Sequence, residues 1–238
     1  MKKLVVSILL LVVVAVATSS MSAPVSITYV LHHFPEQYTS FDTFFAVNGT
    51  RFKSGTVTGN NFTVNVDNAY AYLLKINGKN STVIVSIPIG ATTQTVDLDT
   101  RMLAQVTFKV TINGEGYKPS AVPYTVVVGN NQGKVTATTQ LLFVETPANV
   151  TFPATLLFPG VYGYKLTGIN GTSTDTVSLT EIGKYTVAVA YDPTGLASLP
   201  LGILLVLLAA IVIAVVFAVI KGRSVASVAT TINSPFIE

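Results

Sequence analysis

From Val25 to Tyr191 apolar and polar residues alternate with a period of two, in short runs separated by Gly, Asn and Pro. Successive strand side chains point to opposite faces, so this pattern predicts β-strands with one face on a core and one toward solvent. Met102 to Asn113 is the clearest run, with Ala104, Val106, Phe108, Val110 and Ile112 on one face and Gln105, Thr107, Lys109 and Thr111 on the other. Further strands are predicted at 25–31, 41–47, 50–58, 61–66, 69–76, 81–87, 93–98, 121–128, 133–144, 154–159, 162–167, 174–180 and 183–191. Asn48-Gly49, Asn77-Gly78, Asn113-Gly114 and Asn170-Gly171 supply turn residues that tolerate positive φ. No helix of convincing length interrupts this region. The expected fold class is all-β, with two sandwiches at 24–100 and 101–193 because ~85–95 residues suit a seven-stranded unit. One large sandwich is the alternative, since Asp97 to Arg101 carries no linker composition.

The pattern breaks at both ends. Lys2 and Lys3 precede an apolar stretch from Leu4 to Ala17 and then the small residues Thr18, Ser19 and Ser20, the three-part form of a secretory signal. Residues 1–23 are therefore expected to be a signal peptide, cleaved between Ala17 and Ala23, with an uncleaved signal anchor as the alternative. Leu199 to Ile220 holds no charged residue. At ~1.5 Å per residue it is long enough to cross a ~30 Å hydrocarbon core, so 199–220 is expected to be a transmembrane helix. Lys221 and Arg223 follow it and predict a cytoplasmic tail, 221–238, with the β-rich part outside the cell membrane.

Composition sharpens this expectation. The chain is 50% hydrophobic and 11% charged, which calls for contact with lipid. The net charge of +3 arises in the flanks, because Pro24 to Ser198 contains ten Lys+Arg and ten Asp+Glu. A basic nucleic-acid surface is thus unsupported. Cysteine is absent, which removes disulfides, thiolate metal sites and cysteine nucleophiles. Low charge, no Trp and abundant Thr and Val resemble the composition of exported archaeal proteins.

The segment Glu181-Ile182-Gly183-Lys184-Tyr185-Thr186-Val187 resembles the acidic-x-Gly-x-Tyr-x-Cys corner of immunoglobulin-like domains, with Val187 at the cysteine position. The resemblance implies immunoglobulin-like sandwiches and a Tyr185 hydroxyl bonded to the chain upstream. In that order a further strand should follow, but only Asp192 to Ser198 separates Tyr191 from the apolar run. Either the strand order is permuted, or a partner donates a strand at an open edge.

Candidate sites are few. Asn48, Asn61, Asn80, Asn149 and Asn170 head Asn-x-Ser/Thr sequons, and at least some of them are expected to carry glycan in a host with the oligosaccharyl machinery. His32 and His33, with Glu36 nearby, form a candidate metal site if the chain turns at Pro35, but no third or fourth ligand is evident and two surface histidines at a strand end are the expected reading. Asp97 and Asp99 are a close carboxylate pair, expected to guard an edge strand or a domain junction. Ala210, Ala214 and Ala218 line one stripe of the apolar run, a surface on which another helix could pack. No nucleophile elbow, phosphate loop or His-x-x-x-His pair occurs, and no cofactor is expected. The expectation is a non-enzymatic, membrane-anchored surface protein making protein or glycan contacts. The alternatives are an accessory subunit of a membrane complex and a metal- or ligand-binding receptor.

Overall fold

The computed structural model describes residues 24–117, 122–158, 162–195 and 201–231. The expected signal peptide, residues 199 and 200 and the last seven tail residues, 232–238, lie outside them. The chain divides into two compact units, one of residues up to Ala154 with Leu166–Tyr191, the other of Thr155–Lys165 with Asp192 onward.

The first unit contains three sheets. A three-stranded sheet has the order β4 (Asn61–Asp67), β1 (Pro24–His32), β7 (Gln94–Asp99), with β1 antiparallel to β4 and parallel to β7. A long central sheet runs, within this unit, from the Leu166–Ile169 part of β15 (Tyr162–Ile169) and the Lys184–Tyr191 part of β17 (Lys184–Gly195) through β8 (Ala104–Ile112), β12 (Leu141–Val144), β6 (Ser81–Ile87), β5 (Tyr72–Gly78), β2 (Tyr38–Phe45) and β3 (Arg51–Thr56), with β9 (Glu115–Tyr117) beside β8. A four-stranded sheet has the order β11 (Val135–Ala137), β10 (Tyr124–Val128), β13 (Ala148–Thr151), β16 (Thr176–Leu179).

The central sheet is covered on both faces. On one, Phe41, Leu74, Ile76, Val83, Val85 and Phe143 form a core with Ile27, Tyr29 and Val64 of the three-stranded sheet. On the other, the Phe108 ring lies 4.5 Å from Tyr124 and 5.3 Å from Phe152. Beside these rings the Thr139 hydroxyl donates to Thr82 and to the Leu141 carbonyl, and Lys75 Nζ donates to the Thr136 carbonyl at 2.7 Å. Because Phe143 is opposite Val83 and Val144 opposite Ile84, neighbouring residues of β6 and β12 enter different cores. Ser81, Thr82, Val83, Ile84 and Val85 are accordingly all buried. A strand covered on both faces shows a continuous apolar run, as Val83-Ile84-Val85 and Leu142-Phe143-Val144 do.

The central sheet runs across the boundary expected at 100/101. The parallel pairing of β6 with β12 joins residues from the two sides of it, so the two sandwiches share their middle sheet. The run 133–144, expected as one strand, divides between sheets: β11 stays in the four-stranded sheet and β12 crosses into the central one. Thr139 marks the crossing, since its hydroxyl is tied to Thr82, Tyr124 and Leu141. Two short strands, β9 and β13, were not expected.

The turns follow the sequence with one exception. Asn113 and Gly114 (φ 53° and 77°) and Asn170 and Gly171 (φ 50° and 77°) make paired left-handed turns, and Gly49 has φ 70°. Gly78 serves a different need: a Cβ there would run into Glu36 Oε1, so the glycine makes room for that carboxylate. The tyrosine corner is present, with the Tyr185 hydroxyl donating to the Glu181 carbonyl at 2.8 Å and Val187 buried. β17 runs parallel to β8 and lies between it and β15, so within the described sheet it is internal and needs no donated strand.

In the second unit, β14 (Thr155–Phe158) pairs antiparallel with the first residues of β15, Thr155 opposite Lys165 and Phe158 opposite Tyr162. Helix α1 spans Leu201–Thr231, 31 residues.

Candidate functional site

The expected histidine and aspartate sites come together. β1 ends at His32, and His33 adopts a left-handed φ of 61°, so the chain turns there and the two rings sit 6.4 Å apart. The parallel register sets His32 opposite Asp99. His32 Nε2 lies 2.9 Å from Asp97 Oδ1, and His33 Nδ1 lies 3.2 Å from Asp99 Oδ2. Arg101 also grips Asp99 through Nε, Nη2 and its backbone N–H, and these hydrogen bonds hold the Asp99 carboxyl well below the usual carboxylate range. Each imidazole thus has its own carboxylate. Among the described residues no group of three or more His, Asp or Glu could hold a metal ion. β7 is an edge strand of its sheet, so Asp97 and Asp99 do stand on an edge.

Glu36 is not beside the histidines. Its carboxylate accepts from the Ser81 N–H at 2.7 Å, the Ser81 hydroxyl at 2.7 Å and the Asn80 N–H at 2.9 Å, closing the β5–β6 turn. Burial pushes the Glu36 carboxyl up, but the hydrogen bonds from Ser81 and Asn80 outweigh it and hold the group below its ordinary range. The remaining inward carboxylates are likewise structural. Buried Asp42 accepts from Arg51 at 2.6 Å, Ser54 at 2.8 Å and Asn77 at 3.0 Å. Glu145 accepts from the Ser86 N–H at 2.7 Å, at one end of a cleft of about 350 Å³ that also contains Tyr29, Gln94 and Met102.

All five sequon asparagines are exposed. Asn48 Oδ1 accepts from the Thr50 N–H at 2.9 Å, which folds the sequon into an Asx turn. Asn80 Nδ2, the atom a glycan would occupy, donates to Glu36 at 3.3 Å. Asn149 and Asn170 use Oδ1 to accept from the Ser178 hydroxyl and the Ala188 N–H.

A feature the periodicity did not flag lies where the β2–β3, β4–β5 and β6–β7 connections meet the β10–β11 loop. Four rings cluster there, with Phe45 5.2 Å from Phe52, 5.6 Å from Tyr70 and 5.3 Å from Tyr72. Tyr70 is 52% exposed and Phe52 43%, although large apolar rings are normally covered. Beside them an open groove of about 440 Å³ is lined by Phe45, Tyr70 and Ile89 together with Asn130, Asn131 and Gln132. The only signals for it in the sequence were the aromatics flanking Asn48 and the Gly-Asn-Asn-Gln-Gly run, 129–133, which the strand pattern treats as punctuation.

In α1 every described side chain, Ile203 and Leu205 to Lys221, is exposed, including Ala210, Ala214 and Ala218. Among the described residues no helix is long and apolar enough to cross a membrane.

Models of known protein families give no match to this chain, and neither do curated proteins. Solved structures give distant likenesses. The shaft pilin SpaA of Lactobacillus rhamnosus GG is 8% identical, with 73% of this chain and 100% of that chain covered, at a TM-score of 0.26. A minor pilin of Streptococcus agalactiae is 9% identical over 74% and 99% of the two chains at 0.27, and a streptococcal ancillary pilin 9% identical over 71% and 69% at 0.27. Such scores carry no argument about what this chain does.

Proposed function

We propose that the protein is a non-enzymatic surface protein, exported and held in the cell membrane by α1, that displays its layered β-sandwich to extracellular partners. The observation that carries this reading is α1: a 31-residue helix whose described side chains, apolar almost throughout, are exposed on every side. A helix apolar all round is stable only inside a large core or in lipid. The sequence from Leu201 to Ile220 adds that no charge interrupts the run, with Lys221 and Arg223 immediately beyond. The polar groups support a structural rather than catalytic chemistry, since Glu36, Asp42, Glu145 and Asp99 each hold a turn or a neighbouring strand. The five exposed sequons are the glycan acceptors of this reading.

The test is topological. Sodium carbonate washing should leave the full chain in the membrane fraction, and protease added to intact cells should cut the β-rich part. Release by carbonate, or protection from protease, refutes the proposal. A second reading, an accessory subunit of a membrane complex, draws on the exposed stripe Ala210, Ala214, Ala218. Native mass spectrometry after gentle extraction separates the two: a stoichiometric polytopic partner supports the subunit, and a bare monomer or homo-oligomer supports free-standing display.

A further inference from the structure

We infer that the groove lined by Phe45, Tyr70 and Ile89 and by Asn130, Asn131 and Gln132 is a binding site for a neutral saccharide. The inference relies on the display reading for its biological setting only, and its chemistry stands on the groove.

The lining combines two kinds of surface. Part of the lining is aromatic and aliphatic, with Tyr70 more than half exposed and T-shaped against Phe45. A pyranose has an apolar C–H face that packs on such a ring, and an aromatic contact contributes beyond the area it covers. The rest includes three consecutive residues that carry side-chain amides, Asn130, Asn131 and Gln132. Each amide presents both donors and an acceptor, the match for hydroxyl groups that donate and accept in turn. Asn130 and Gln132 are exposed, and neither makes a hydrogen bond to a described residue. Among the described residues no Asp, Glu, Lys, Arg or His lines the groove, so none of them favours a charged ligand there. Its volume of about 440 Å³ falls within the range of ligand sites.

The amide run is held in place before any ligand arrives. The Gly133 N–H donates to the Ala46 carbonyl at 2.8 Å. A Cβ at Gly133 would stand 2.7 Å from Gly49 N and 2.8 Å from Ala46 O, so only glycine allows the two turns to approach this closely. Asn131 Nδ2 is pinned to the Val128 carbonyl at 2.8 Å. Rigid positioning of the binding groups lowers the ordering cost of association. An extended peptide is a poorer occupant, because the groove is built from turns and offers no row of edge-strand N–H and C=O groups with which to pair.

The experiment uses the full chain made in a host without N-glycosylation and kept in a detergent that has no sugar head group. Methyl α-mannoside, methyl β-galactoside, methyl β-glucoside, N-acetylglucosamine and their short oligomers are titrated by calorimetry and by tyrosine fluorescence, which Trp does not mask in this chain. At least one should bind saturably. Tyr70→Ala should weaken that binding about tenfold or more, and Gln132→Ala should weaken it severalfold. Gln132 lies in an exposed loop, so its variant keeps the test valid if Tyr70→Ala disturbs the fold. Absence of saturable binding by every sugar, or binding that neither variant changes, overturns the inference; a groove that instead binds an apolar peptide, lost on Tyr70→Ala, also overturns it. Repeating the titration with chain from a glycosylating host, with and without Asn48→Gln, distinguishes a free saccharide from the chain's own Asn48 glycan as the source. Failure here leaves the carbonate and protease results untouched, so it is separable from failure of the membrane proposal.

Discussion

The shared central sheet makes a quantitative prediction. Ile76 and Ile84 are both fully buried, on adjacent strands β5 and β6, yet they enter opposite cores: Ile76 packs toward the three-stranded sheet, and Ile84 lies opposite Val144 on the face that meets the four-stranded sheet. Truncation of either to alanine removes three buried carbons and leaves a cavity, a cost of about 2–5 kcal/mol. In a domain of this size each kcal/mol lowers the melting temperature by about 2–4 °C, so each variant should melt about 4–20 °C below the parent. Since β6 and β12 belong to both sandwiches, neither can melt while the other stays folded. Differential scanning calorimetry of the full chain should show one β-domain transition, displaced by Ile76→Ala and by Ile84→Ala alike. Hydrogen exchange should report the same coupling, with the amides of β10 losing protection in Ile76→Ala although Ile76 faces the other sheet. Two resolved transitions, one lowered only by Ile76→Ala and the other only by Ile84→Ala, would refute the reasoning.

Two smaller predictions concern single contacts. Glu36→Gln removes charge-assisted acceptance at the Ser81 N–H and hydroxyl of a buried residue and should cost about 1–3 kcal/mol by denaturant unfolding at pH 7. Because the folded Glu36 carboxyl is held below its usual range, its stabilisation is complete above the unfolded value of ~4.3 and is lost as pH falls through the folded value. The gap between parent and variant should therefore narrow in acid, and a gap that stays constant down to strongly acidic pH contradicts this assignment. Tyr185→Phe deletes the bond to the Glu181 carbonyl and should lower stability by about 0.5–1.5 kcal/mol. An unchanged denaturation midpoint would show that the corner is not stabilising.

Strand positions were legible because they depend on neighbours two residues apart. The run 102–113 became β8, Ala104–Ile112, with its apolar set Val106, Phe108 and Val110 buried as the alternation requires. Asn113-Gly114 and Asn170-Gly171 made their turns because those residues tolerate left-handed φ whatever surrounds them. The Tyr185 corner joins residues four positions apart and was likewise readable. Pairing was not, because nothing local states which strand β6 will meet. The parallel ladder of Ser81–Ile84 with Leu141–Val144 bridges about sixty positions and turned two expected neighbours into one shared sheet. The same long-range pairing brought His32 to Asp97 and sent Glu36 to Ser81.

The amino-acid sequence alone determined the all-β class, most strand and turn positions, the neutral charge of the β-rich part and the apolar run that forms α1, since each follows from short-range periodicity or composition. Tertiary structure alone decided that two cores lie on opposite faces of one sheet. It alone assembled an aromatic cluster from Phe45, Phe52 and Tyr70 and brought Asn130 to Gln132 to the same groove. Those residues come from separate connections, and what joins them is the packing of sheets and the close approach of Gly49 to Gly133, a contact that no local pattern encodes.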